Sequence, residues 1–149
     1  MKLSILHRFA ATPEQVYFAL TDPATLQSCI DGCEKMVKTS EDSYDVQLKV
    51  GVAGMKGNYA GQVRISAQQP PESLTLEISG KGGAGFVKAT TQLRLARQGA
   101  ETELSGSADA TVGGLIAAVG SRLIEAVAKK MMGEFFAKIA VQIKARAVS

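Results

Sequence analysis

The last part of the chain is organised on a four-residue apolar repeat. Val119, Leu123, Val127, Met131, Phe135, Ile139 and Ile143 form one row, and Ile116, Gly120, Ile124, Ala128, Met132, Phe136 and Ala140 form its neighbour. Arg122, Glu125, Lys129, Lys130, Glu134, Lys138 and Gln142 fill the remaining rows. Positions four apart share one face of an α-helix, so the pattern predicts one amphipathic helix from about Leu115 to Ala145, roughly 45 Å long at 1.5 Å per residue. A strict four-residue step advances about 40° per repeat, so the apolar band winds through roughly 240° over seven positions. No flat surface can receive such a band. Either the sheet beneath it curves, or the helix bends, with Gly133 as the candidate hinge, or its far end meets another surface.

Ahead of that helix the dominant period is two. Leu3, Ile5, His7 and Phe9 alternate with polar neighbours as a first strand. Thr12-Pro13-Glu14-Gln15 then reads as a helix start, with Thr12 as cap, Pro13 at the first helical position and Gln15 as capping-box partner. Asp22-Pro23 ends that helix, and a second short turn follows through Ala24-Thr25-Leu26. From Glu34 onward the alternation resumes: Tyr44 to Val52, Tyr59 to Ala67, Leu74 to Gly80, Val87 to Leu95, and Leu104 to Val112. Glu41-Asp42-Ser43, Gly51 to Gly57, Pro70-Pro71, Gly82-Gly83 and Gln98-Gly99-Ala100 supply turn chemistry between them. Consecutive strands with short links imply an antiparallel meander. The predicted fold is α+β, with a curved antiparallel sheet of about seven strands wrapped on a long C-terminal helix and two short helices after the first strand. No repeat or linker interrupts it, so residues 1–149 are expected to form one ligand-binding domain.

The inward parity of the strands holds many small residues: Gly61, Ala67, Gly80, Ala89, Gly106, Ala108 and Ala110. The helix opposite them is not small. Either its side chains fill the space at normal packing density, or an apolar cavity remains of the kind that holds a small molecule. In the second case Tyr59, Val63, Ile78, Ala89, Ala108, Leu123, Val127 and Met131 line it, and Phe86 with its glycine hairpin gates it. The far end of the helix, at Phe136, Ile139 and Ile143, is then the expected membrane or partner contact.

Composition narrows the function classes. The 149 residues are 46% hydrophobic and 21% charged, with a formal net charge of +3. Lys and Arg are scattered and Trp is absent, so a nucleic-acid groove with stacking aromatics is not expected. The N-terminus passes straight into strand alternation without a secretory pattern, and no apolar run reaches about 18 residues. The expected location is the cytoplasm, with peripheral contact at the inner face of the cell membrane as the alternative. Cys29 and Cys33 have the spacing of neither a redox pair nor a four-ligand zinc site, and are expected to be buried free thiols. No metal site and no cofactor are expected.

His7 is the one side chain suited to proton transfer near neutral pH, yet it lies on the apolar parity of the first strand. Asp45, Glu77, Glu101, Glu103 and Asp109 fall on outward positions or in turns, so no catalytic group converges on one pocket. Gly80-Lys81-Gly82-Gly83-Ala84-Gly85 lacks the Gly-Lys-Ser/Thr ending of a phosphate loop and introduces a strand, so it reads as a flexible hairpin. No catalytic residue is assigned, and binding is favoured over chemistry.

The sequence resembles the carbon monoxide dehydrogenase G-subunit family, a branch of the START-like or polyketide-cyclase-like superfamily. The resemblance rests on Ile30-Asp31-Gly32-Cys33-Glu34, Val50-Gly51-Val52 leading to Lys56-Gly57, Gly80 to Phe86, Ala108 to Gly114, and Gly120-Ser121-Arg122-Leu123-Ile124. It implies a helix-grip fold around an apolar cavity. It also implies a non-catalytic accessory protein that binds a quinone- or lipid-like ligand. Such a protein would be associated with a molybdenum-containing carbon monoxide dehydrogenase or related hydroxylase complex and with its membrane recruitment. Asp31 stands where the family pattern has Pro, and the chain ends at Ser149 where some relatives continue into a tail suited to membrane attachment, so a soluble carrier is the expectation. Two alternatives stay open: a cyclase- or hydratase-type enzyme using His7 or a buried carboxylate on a hydrophobic substrate, and a pure assembly factor with an incidental cavity.

Overall fold

Strand β1 (Lys2–Phe9) leads into two short helices, α1 (Pro13–Thr21) and α2 (Pro23–Cys29). Six strands follow in sequence: β2 (Cys33–Ser40), β3 (Ser43–Val50), β4 (Gly57–Gln69), β5 (Ser73–Gly82), β6 (Gly85–Gln98) and β7 (Glu101–Gly113). A 3-10 turn at Gly114–Val119 then delivers the chain to α3 (Ser121–Val148). The structure is a computed structural model that describes residues 1–51 and 55–148, with side chains to residue 146. Val52, which the alternation adds to the strand from Tyr44, lies outside the described residues.

All seven strands join one antiparallel sheet in the order β1-β7-β6-β5-β4-β3-β2. The hairpins from β2 to β7 are the expected meander. The non-local step is β1, which pairs with β7 from Lys2↔Asp109 to Phe9↔Thr102. Helices α1 and α2 therefore carry the chain from one edge of the curved sheet to the other, and α3 lies in the hollow they help to enclose.

The short helices are set by local chemistry. Gln15 N–H donates to Thr12 Oγ1 (3.2 Å) and Thr12 N–H donates to Gln15 Oε1 (2.9 Å), which is the capping box expected from the sequence. Asp22 caps α2, accepting from the Thr25 N–H (3.2 Å) and the Thr25 hydroxyl (2.6 Å) on Oδ2. The hydroxyl bond is the largest cause holding the Asp22 carboxyl below its ordinary pKa, and burial opposes it.

The long helix starts later than its hydrophobic rows predict. Gly120 has φ +97°, a conformation glycine reaches without a Cβ penalty, and regular helix begins at Ser121. Ile116, which the repeat places on the helix, is instead buried within the 3-10 turn. Its N–H donates to the Ala84 carbonyl (2.8 Å), tying that turn to the β5–β6 hairpin.

The main core joins Leu3, Ile5 and Phe9 of β1, Val16 and Leu20 of α1, Leu26 of α2, inward residues of the sheet such as Leu104, and Phe136, Ile139 and Ile143 of α3. Phe136, Ile139 and Ile143 are thus buried, and the expectation that they form an exposed membrane or partner patch is corrected. The physical reason is a second wall supplied by this chain itself. Phe136 lies against His7 and Phe9 of β1, with ring centroids 5.5 and 6.3 Å away. Further along, Arg146 reaches Asp22 Oδ2 (3.2 Å) and Thr25 Oγ1 (3.0 Å) and covers the Phe18 ring at 4.4 Å. The winding band passes from sheet to helix pair, so no external surface is needed to receive its far end.

Candidate functional site

The first half of α3 is in a different environment. Among the described residues the close backbone neighbours of α3 as a whole are α1, α2, β1 and the 3-10 turn rather than the middle strands. Leu123 is 44% exposed and Met131 38%, and Val127 is half-buried. On the facing sheet Ile78 is 37% exposed, although its neighbours along β5 on the same face, Leu74 and Leu76, are buried. Partly exposed apolar side chains thus stand both on the start of α3 and on the part of the concave face that β5 carries beyond Leu76.

Register shows how the strands build the concave face. Tyr44, Val63, Ile78, Ala89 and Ala110 form one cross-strand row. Val46, Gly61, Gly80, Val87 and Val112 form the next, one pleat nearer the end of the sheet that carries the β5–β6 hairpin. The small residues in these rows do not all do the same thing. A Cβ on Gly61 would meet the Ser79 carbonyl, and one on Gly106 the Gln92 carbonyl, so these two glycines permit close backbone approach in a curled sheet. A Cβ on Gly80 would have nothing within 4 Å. Gly80 is where the small-residue pattern leaves space. Ala67, expected in the same set, departs from it at a bulge between Ser66 and Gln69, with φ +48°, and is exposed.

The predicted lining residues are distributed accordingly. Val63, Ile78 and Ala89 come together in one row, and Ala108 lies buried beside Leu3 in register. Tyr59 is buried with its ring over Gly82, and its hydroxyl donates to the Met55 carbonyl (2.6 Å). Leu123, Val127 and Met131 lie on the first half of α3 outside the main core, against which Ala128 and Met132 of the same half pack. Phe86 does not belong to this set. It pairs with Gly113 on the opposite parity from Val87 and Ala89, and its ring lies over Gly113 on the outer face, so it is no gate to the inner one. The alternation that makes Val87 point inward makes Phe86 point outward.

His7 on the inner side of the sheet and Cys29 on α2 have apolar surroundings. His7 has ring contacts to Phe9 (4.6 Å) and Phe136 (5.5 Å), and burial lowers its pKa. Among the described residues no Asp or Glu is fully buried. Cys29 is buried and Cys33 half-buried, both are free, and burial raises both thiol pKa values.

Spacing along the chain hides one further relationship. In an antiparallel meander alternate connections lie at the same end of the sheet. The α2–β2 turn, the β3–β4 link, the β5–β6 hairpin and the β7–α3 connection therefore share one end, and these carry the segments on which the family resemblance rests. An open depression of about 960 Å³ lies there, with Ile30, Asp31, Lys49, Lys56, Asn58 and Lys138 in its lining. Lys138 Nζ is 3.7 Å from Asp31 Oδ1 across it.

Comparison with known structures agrees with this architecture. A conserved protein from Geobacillus kaustophilus is 34% identical, with 97% of this chain and 96% of that chain covered at a TM-score of 0.95. A START superfamily protein from Mycobacterium smegmatis shares the fold at 10% identity, with 97% of each chain covered and a TM-score of 0.77. Protein CV1439 from Chromobacterium violaceum does so at 15% identity, with 95% of this chain and 96% of that one covered and a TM-score of 0.75. No curated protein matches the chain. The model of one family, the carbon monoxide dehydrogenase G-subunit family (CoxG), matches residues 7–144. This match spans most of the chain, which therefore belongs to the carbon monoxide dehydrogenase G-subunit family, CoxG.

Proposed function

We propose that this chain is a non-catalytic carrier that holds an apolar ligand of quinone or lipid type in a trough between the concave sheet and the first half of α3. Val63, Ile78, Ala89 and Ala108 form the sheet wall of the binding site, Tyr59 closes one end, and Leu123, Val127 and Met131 form the helix wall. The carrier serves a molybdenum-containing carbon monoxide dehydrogenase or a related hydroxylase and takes part in its recruitment to the membrane. Family membership and the START-like fold support a ligand-binding accessory role. The observation that carries the reading is the open space at Gly80 on the concave face, together with partly exposed Ile78 of β5 and Leu123 and Met131 of α3. Such a trough can stay open, because the fold does not depend on closing it. The aromatic surroundings of His7 and the exposure of the carboxylates support binding over chemistry.

Native mass spectrometry of gently purified protein, with organic extraction, tests the carrier reading. The protein is expected to retain an apolar molecule and, once stripped, to take up a short-chain quinone. Gly80→Phe is expected to abolish uptake while the protein stays folded, since the new ring enters open space and Phe suits a strand better than Gly. A stripped wild-type protein that takes up neither quinone nor lipid at saturating concentration would falsify the proposal.

A further inference from the structure

The inner face of the sheet carries two hydroxyl groups that the fold does not use. The chain has three tyrosines, and all three are buried. Tyr17 shares its hydroxyl proton between Gln68 Oε1 and the Ser73 carbonyl (both 3.3 Å), and Tyr59 donates to the Met55 carbonyl. Tyr44, only 4% exposed, makes no side-chain hydrogen bond among the described residues. The buried threonines divide in the same way. Thr25 donates to Asp22 Oδ2 and Thr102 to the Ala11 carbonyl (2.7 Å). The hydroxyl of Thr91, a residue 9% exposed, has no partner among the described residues.

Leaving a buried hydroxyl unpaired costs free energy, so native interiors pair nearly all of them. Among the described residues no side-chain nitrogen or oxygen that is shut off from solvent lacks a partner. The Tyr44 and Thr91 hydroxyls therefore border unfilled space rather than packed atoms. Their positions say which space. Tyr44 has the parity of buried Val46 and heads the cross-strand row of Val63, Ile78, Ala89 and Ala110. Thr91 lies one pleat further from the β5–β6 hairpin, in the row of Ile65, Leu76 and Ala108. Along β6 the inward residues pass from half-buried Val87 and Ala89 to buried Leu93 and Leu95, so Thr91 stands where partial burial gives way to packed core. Tyr44 marks the same boundary on β3, since it belongs to the main core while its row partner Val63 does not. Three strand spacings of about 4.8 Å separate β3 from β6 along the sheet, and less across its curve. The two hydroxyls thus flank the apolar floor that β4 and β5 provide from opposite sides.

We propose that Tyr44 and Thr91 select the carrier's ligand. The ligand is an apolar ring system with carbonyl oxygens on opposite sides, a quinone rather than an acyl chain, and the two hydroxyls donate to those oxygens. This rests on the carrier reading for the site and adds the chemistry that the site recognises. Apolar walls reward any hydrocarbon by its buried area, and only donors at fixed positions distinguish a ring carbonyl from a methylene. An acyl chain in the same place leaves both hydroxyls unpaired.

Equilibrium dialysis of the stripped full chain against menadione and against methylnaphthalene, a comparable ring system without oxygens, tests the assignment. Tyr44→Phe and Thr91→Val keep the side-chain shape and delete the hydroxyl. Each is expected to weaken menadione binding by about fivefold, and the two together by about 25-fold, with no weakening for methylnaphthalene. The carbonyl stretch of bound menadione should lie at lower wavenumber in wild type than in the double variant. Without ligand, neither variant should unfold earlier than wild type, because neither hydroxyl has a protein partner to lose. Thr102→Val is the control: it gives up the bond to the Ala11 carbonyl, so its unfolding midpoint should fall while both affinities hold. Unchanged menadione affinity in the Tyr44 and Thr91 variants overturns the selection and leaves the carrier reading standing. An equal loss for both probes, or a loss of ligand-free stability like that of Thr102→Val, also overturns the selection, since either marks a packing role. A wild-type protein that binds neither probe overturns the carrier and the selection together.

Discussion

The two halves of α3 have the same kind of sequence and opposite roles. Both carry apolar residues on a four-residue repeat, yet Phe136, Ile139 and Ile143 are buried while Leu123 and Met131 are more than a third exposed. The difference is what lies opposite. The second half faces β1 and the α1–α2 pair, which enclose it, and in the first half only Ala128 and Met132 pack against the main core. The second half carries most of the packing that holds α3 in place. In the proposed carrier the trough can stay open because the clamp is elsewhere.

Truncation on each half gives the largest expected effect. Ile139→Ala is expected to cost about 3 kcal/mol, the ordinary penalty for emptying a fully buried aliphatic site. Leu123→Ala is expected to cost under about 1 kcal/mol, because much of that side chain is already in water. Urea unfolding of both variants checks the contrast, and equal costs would break it. The quinone-uptake measurement with Leu123→Ala should show the reverse ranking.

Removing the last tie of the clamp comes next. Arg146→Ala gives up the contacts to Asp22 and Thr25 and the cover over Phe18, at a cost of about 1 kcal/mol for partly exposed groups. The Asp22 carboxyl has a lowered pKa in the fold, chiefly through the Thr25 hydroxyl and with help from Arg146. Its contribution to stability is therefore present above the unfolded value of 3.8 and is lost as pH falls through the lower folded value. Thermal melts of wild type and Arg146→Ala should converge as pH drops through that window. The Thr25 bond is expected to retain part of the acid sensitivity in the variant.

The smallest effect tests the junction between the halves. Gly133 lies exposed in the helix interior, and a Cβ there would meet nothing within 4 Å. Gly133→Ala is expected to raise stability by about 0.5–1 kcal/mol through the backbone entropy of the unfolded chain. Quinone uptake should be unchanged. If uptake falls while stability rises, the two halves are coupled through a hinge at Gly133, and their separation into clamp and trough is too sharp.

Much of the fold is legible in the order of residues alone. The Thr12–Gln15 capping box, the alternation from Tyr44 to Val112 and the long apolar repeat each report a local backbone geometry, and local geometry is what periodicity encodes. The site is legible only in part. Val63, Ile78 and Ala89 share a parity and also share a row, but Phe86, a large residue beside glycines, suggests a gate at the mouth against its own parity. Gly61, Gly80 and Gly106 look alike in sequence, yet two make room for a neighbouring backbone and one has open space where its Cβ would stand. That distinction depends on sheet curvature, which single strands do not reveal.

What the sequence determined by itself was the set of elements, their order and the fact that the apolar band of the last helix winds too far for one flat partner. Only the tertiary structure decided which end of that band was covered. Pairing of β1 with β7 sends α1 and α2 across the gap between the sheet edges, and this places a second apolar wall beside Phe136, Ile139 and Ile143. Burial is a relation between segments distant in the chain. A repeat can state that a face must be covered, and only the folded chain supplies the cover.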